Sequence, residues 1–373
     1  MKYWRGYLVA AIAVLCAWGL RQFAEAHTVL VDMIYPYVTR MIQDYMADWS
    51  ASVSFCVWQV LLLALGVLVL ASIVLMIIFK WNPIQWFGWI TAVAGLLVLL
   101  HTGIYGLNEF SGPLADDIRL KDAEEKYSFS ELERAAVYFR DQANALATQI
   151  PRDANGDPQY AAFQVLAEQA GDGFHSLTYD SHTAVFAGST VPVKELGWSD
   201  FFASHGVVSL TVPITGESAV NPQAPAVYLP FAICHEMAHR MCIAVDADAD
   251  MAAFLACRAN SDIAFQYAAY FKAYRSCYDA IKSVASSTTQ DVLQRLQAGE
   301  TGMLKRDLET YRAFFGQYAD SMEDSGFSDL LVVWHIQQIV LPQQAIEEEE
   351  HVFNPKDPED VDLSGLVNAK PKE

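Results

Sequence analysis

Residues 229–250 read LPFAICHEMAHRMCIAVDADAD, and within them His235-Glu236-Met237-Ala238-His239 is a His-Glu-x-x-His pentad in an apolar run. Residues four apart share one face of a helix, so both imidazoles can reach a single ion. Glu236, directly after the first histidine, can touch a water at that ion without being a ligand itself. Zinc-assisted hydrolysis requires this set: two fixed nitrogens, a third ligand, an open position and a base. Pro230 suits the first turn of a helix, where its missing N–H would have had no partner. Leu229, Phe231, Ile233, Met237, Met241 and Ile243 make the run apolar enough for a buried helix, which argues against two ordinary surface histidines.

Asp246, Asp248 and Asp250 are the candidates for the third ligand. A calcium loop is excluded, because Met251 stands where such a loop needs glycine and Cys257 where it needs glutamate. Three aspartates also suit the N-terminus of a following helix, whose dipole they complement, and that role is compatible with metal binding.

The chain has 373 residues, 53% of them hydrophobic, enough for a sizeable core and for membrane crossings. Its charge is uneven. Residues 1–106 carry a net charge of +1, which leaves −21 of the total −20 on residues 107–373. No basic stripe occurs, so nucleic acid is excluded as a partner. Of six cysteines, Cys16 and Cys56 fall in apolar segments, while Cys234, Cys242, Cys257 and Cys277 surround the pentad. No C-x-x-C pair exists, which disfavours an all-cysteine zinc site. Buried thiols and a Cys242–Cys277 disulfide in an oxidising compartment both stay open.

Residues 1–106 read as a membrane anchor of about three helices, with spans near 6–24, 55–79 and 84–106. The first is either a signal peptide ending near Ala24-Glu25-Ala26 or a membrane helix. Residues 27–48 read as an amphipathic element at the membrane surface, interrupted at Pro36. Lys2, Arg5 and Lys80 then belong on the cytoplasmic side, which puts everything after residue 106 outside the cytoplasm. Residues 107–345 form the expected water-soluble domain, and 346–373, rich in acidic residues and proline, a flexible tail. Ser130 and Glu133 read as a capping box opening a helix over 131–149. Residues 204–214 read as a strand ending at Thr215-Gly216-Glu217; it either borders the cleft and pairs with a substrate backbone or is an ordinary edge. Helices are expected over 250–283 and 303–340.

The L-P-F-x-x-x-H-E-x-A-H run, an acidic residue nine positions beyond the second histidine and Phe254-Leu255-Ala256-Cys257 resemble a bacterial family of membrane-anchored, zinc-peptidase-like proteins, known only as a domain of unknown function. Asn108 with Pro113-Leu114, Tyr127-Ser128-x-x-Glu131-Leu132, Thr215-Gly216-Glu217 with Asn221, and Phe265-x-Tyr267 with Tyr270 and Arg275 extend the likeness over most of residues 1–280. That family resembles the gluzincins, whose third ligand is a glutamate on the next helix. The resemblance therefore implies an α+β, mainly helical, zincin-like metallopeptidase domain. Zinc would be held by His235, His239 and Asp248, with Glu236 as the base. Asp248 stands where the family has Glu, Asp250 where it has Asn, and Arg240-Met241-Cys242 where it has Gln-Arg-Gly. Tyr270 and Arg275 are candidates for stabilising an oxyanion and Glu217 for contacting substrate, each against a structural reading.

These features imply a multi-pass protein of the cell membrane that hydrolyses a peptide or protein substrate outside the cytoplasm. The alternative is an inactive zincin-fold scaffold or sensor of the cell envelope. A protease acting within the bilayer fits poorly, because the pentad lies far beyond the last span in soluble sequence.

Overall fold

In the computed structural model, which describes residues 2–120, 127–179, 183–205, 207–284, 287–316 and 326–343, the chain is mostly helical. Among the described residues, three helices are long and apolar enough to cross a membrane: α1 (Arg5–Ala26), α3 (Val57–Ile78) and α4 (Pro83–Ile104). Between the first two runs α2 (Thr28–Ser50), which continues unbroken through Pro36. Pro36 forfeits the backbone hydrogen bond to the Asp32 carbonyl, and the turns on either side of it stay helical. The expected interruption at Pro36 is therefore absent.

Small residues bring α1 and α4 together. Gly6, Ala13 and Ala17 are buried on α1, and Gly88, Ala92 and Gly95 on α4. A Cβ at Gly6 would lie 2.3 Å from the Gly88 carbonyl, so the backbones touch as they do in close-approach membrane helix pairs. Asn82 caps α4, its side chain accepting from the Ile84 and Gln85 amides.

Beyond the anchor come α5 (Leu114–Asp117), α6 (Phe129–Ala147), α7 (Phe163–Tyr179), β1 (Lys194–Glu195), α8 (Ser199–Ala203), β2 (Ser209–Val212) and β3 (Glu217–Val220). They are followed by α9 (Leu229–Arg240), α10 (Asp246–Ala259), α11 (Ile263–Ser283), α12 (Thr289–Ala298), α13 (Gly302–Phe315) and α14 (Phe327–His335). The sheet has the order β1-β3-β2, with β1 parallel and β2 antiparallel to β3. One large core joins α6, α7, α9, α10, α11 and α14. Every residue of α9 is buried except His235 and His239, whose side chains are 15% and 14% exposed. The pentad helix thus has one open face, and the two imidazoles occupy it.

Several expectations shift. The α6 capping box is Ser128 with Glu131, because the helix begins at Phe129, and Glu133 pairs instead with Arg295 Nη2 at 2.5 Å. Thr215-Gly216-Glu217 does not end a strand but turns β2 into β3, with Gly216 at φ +63°. The expected 204–214 strand is only β2, since residues 204 and 205 form a turn and residues 213–216 already turn toward β3. The helices after the pentad break at Asn260, after Ser283 and at Gly299. All six cysteines are free thiols, so no Cys242–Cys277 bridge is present. The acidic tail lies outside the described residues.

The α1–α4 crossing gives a direct test. Gly6→Leu should cost about 1–3 kcal/mol or more through overpacking, read as a lowered melting midpoint in detergent. Gly66→Leu, where nothing lies within 4 Å, should change it little.

A candidate metal centre on α9

α9 and α10 meet so that ligand atoms of His235, His239 and Asp246 all lie within 4.8 Å of one another. Both imidazoles are oriented from behind. His235 Nδ1 lies 2.8 Å from Asp250 Oδ1, and His239 Nδ1 lies 2.8 Å from the Ile243 carbonyl. Each acceptor fixes the proton on Nδ1 and leaves the Nε2 lone pair for an ion. His239 Nε2 lies 3.3 Å from Asp246 Oδ1. Nitrogen, nitrogen and carboxylate oxygen form a donor set that zinc accepts, with a fourth position open.

Asp246 and Asp250 are four apart on α10 and so share a face, Asp246 reaching the open side of the imidazoles and Asp250 the back. Asp248, two residues from each, points elsewhere. Its carboxylate accepts from the Leu114 amide at 3.1 Å in a separate cavity against Asp32, Arg40 and Asp117. The expected ligand Asp248 is therefore not among the residues brought together, and Asp246 takes its place; the two-residue spacing on a helix is the reason.

Burial alone would raise the Asp250 carboxyl, but Lys272 and His235 hold it down at about 2. Lys272 Nζ stands 3.7 Å away and also lies over the Phe231 ring. Burial would lower the His239 pKa, yet Asp246 and Glu236 raise it above its ordinary value.

Glu236 is held beside the histidines by the sheet. Thr211 Oγ1 donates to Glu236 Oε2 at 2.7 Å, and Ser218 Oγ donates to the Glu236 carbonyl at 2.9 Å. Neither hydroxyl figured in the sequence reading. The alternation of Thr211 on β2, and its pairing with Ser218 on β3, was the signal that could have found them. Arg240 is wholly buried, and its guanidinium donates to the Ser189 and Val191 carbonyls. Cys242 adopts φ +71° just past α9, the left-handed geometry that favours glycine after a helix.

The remaining expected site residues are engaged elsewhere. Tyr270 is buried among the rings of Tyr138, Phe139 and Phe254. Arg275 pairs with Asp279 one turn along α11 at 2.8 Å. Glu217, fully buried, accepts from the Val57 and Trp58 amides at 2.7 and 2.8 Å and from Lys194 Nζ at 2.7 Å. It caps the first turn of α3 and does not face a cleft.

Fold and site together define a mainly helical protein with three candidate membrane spans and a His-Glu-x-x-His helix beside a small mixed sheet. The chain belongs to a family described as a protein of unknown function (DUF3810), whose model matches residues 31–330. Comparison with curated proteins and with solved structures finds no match.

Asp250 links this geometry to pH. Its folded pKa lies below the usual 3.8, so its contribution is complete above about pH 4 and lost as pH falls toward 2. The loss should approach about 2 kcal/mol, measured by denaturant unfolding with a chelator present. Asp250→Asn should be less stable at neutral pH and flatter across the acid window.

Proposed function

We propose that the protein is a membrane-anchored, zinc-dependent metallopeptidase with a zincin-like domain of gluzincin type, hydrolysing a peptide bond outside the cytoplasm. The observation that carries this reading is the pair of imidazoles held by Asp250 and Ile243, with Nε2 of His239 facing Asp246 and Glu236 fixed alongside. His235, His239 and Asp246 would hold the metal. Zinc bound there supplies a Lewis acid and lowers the pKa of a water. Glu236 takes a proton from the attacking water and delivers it to the leaving amine, a transfer worth 10²–10⁴-fold in rate. Thr211 keeps one Glu236 oxygen in place, and Asp250 holds His235 against rotation.

The full-length protein in detergent should bind zinc, and His235→Ala or His239→Ala should abolish binding. Asp246→Asn should weaken it by about tenfold or more, Asp248→Asn much less. Glu236→Gln should keep the metal and lose cleavage of a peptide library. A wild-type protein that stays metal-free in excess zinc would sink this reading. The exposure of the Asp246 side chain, 74%, and its shortness favour a second reading, a scaffold or sensor of the cell envelope. That reading predicts zinc binding without cleavage, or neither.

The orientation rests on Arg5 at the start of α1 and Lys80 in the turn before α4, which fall at the same end of the anchor. Ala154→Cys, in an exposed turn of the domain, should react with a membrane-impermeant thiol reagent in intact cells. Labelling only after lysis would reverse the orientation.

A further inference from the structure

α2 is inside out for a helix on a water-soluble domain. Its buried side carries Thr39, Gln43 and Ser50 with only Val31 and Ala47 as apolar members, and its free side carries Met33, Tyr37, Met41, Tyr45 and Trp49, four residues apart. Met41 is 73% exposed. The polar side grips the domain: Gln43 Nε2 donates to the Pro213 carbonyl, Arg40 to the Met241 and Ala184 carbonyls, and Asp44 accepts from the Ser189 amide. An apolar stripe of that length on the far side needs a partner that is itself apolar.

Both ends of α2 are fixed at span ends. It starts two residues after α1 and finishes seven residues before α3, where Lys194 Nζ holds the Ser50 and Phe55 carbonyls. With α1 and α3 across a bilayer, a helix tied at both ends to the same surface lies in its plane.

A second apolar feature sits at the same level. Gln59, in the first turn of α3, exchanges two hydrogen bonds with Gly197, Nε2 to the carbonyl at 2.7 Å and amide to Oε1 at 3.2 Å. A Cβ at Gly197 would lie 2.5 Å from Gln59 Oε1, so a larger residue there would push the Gln59 amide aside. The next residue, Trp198, is held at φ +53° and is 50% exposed, and Phe201 one turn on is 60% exposed. The left-handed conformation is strained for a non-glycine residue, and it occurs where an aromatic ring emerges at the depth of the first turn of a span. Tryptophan and its aromatic relatives settle at that depth in membranes.

We infer that the outward face of α2 and the Trp198–Phe201 corner form one lipid-facing sole, by which the domain lies flat on a phospholipid bilayer. The occupant is the interfacial layer of the membrane that the spans cross, because both features are joined to span ends.

The full chain in phosphatidylcholine nanodiscs tests this. Met41→Cys and Phe201→Cys, each carrying an environment-sensitive fluorophore, should be quenched several-fold more by headgroup-region nitroxide lipids than by aqueous iodide. The same label at Met303→Cys, on α13, should show the reverse. Iodide quenching equal to that at Met303, or shielding from both quenchers as under a second protein copy, would overturn the inference. A photoactivatable phospholipid on the unsubstituted protein gives an independent reading, with adducts expected in 28–50 and 198–203. Adducts confined to α1, α3 and α4 would also overturn it.

Discussion

One buried carboxylate ties the centre of the domain together. Asp250 on α10 meets His235 on α9 and stands within 3.7 Å of Lys272 on α11, so three helices share a single charged junction. A charge in that position is tolerated only because it is paired on two sides. Removing His235 or Lys272 would strip the buried Asp250 carboxylate of one of these compensating neighbours. The same junction that holds the helices in register also sets which nitrogen of His235 faces outward, so stability and the candidate metal centre rest on the same atoms.

The anchor and the domain are joined by comparable devices. Glu217 caps α3 with one carboxylate while Lys194 satisfies the carbonyls of the loop before it. Ser218, the next residue of β3, points the other way and holds the Glu236 carbonyl. Adjacent residues on a strand face opposite sides, so two consecutive positions of β3 connect a candidate span with the pentad helix. The conversion of Glu217 from expected substrate contact to structural cap follows from that alternation.

The sequence made the spans, the pentad helix and the α6 stripe legible, because each depends on a local pattern of apolar residues. Leu132, Ala135, Ala136, Phe139 and Ala143 are buried as their spacing requires. What it hid depends on relations between elements. Nothing local distinguishes Ser128-x-x-Glu131 from Ser130-x-x-Glu133; the helix begins at Phe129, which places Ser130 inside it, and Glu133 pairs instead with Arg295, 162 residues away. The preference for Asp246 over Asp248 could have been drawn from helix geometry once Asp250 was assigned behind His235, since only Asp246 shares its face. The inverted polarity of α2 was visible as amphipathicity, but which side faced protein was not.

The hydroxyl of Tyr105, the first residue past α4, donates to the His239 carbonyl at 3.0 Å. With α4 across a bilayer, that bond joins those of Arg40, Gln43 and Glu217 in holding the pentad helix at a set height above the lipid. On the proposed peptidase reading, a polypeptide tethered in the same bilayer would reach that height through an extended stem, at ~3.3–3.6 Å per residue. Encounter then depends on lateral density and on linker length, as for any two sites confined to one surface. A freely soluble chain has no such advantage and competes from bulk dilution. On the peptidase reading proposed above, the length of a target's juxtamembrane stem would act as a ruler for selection.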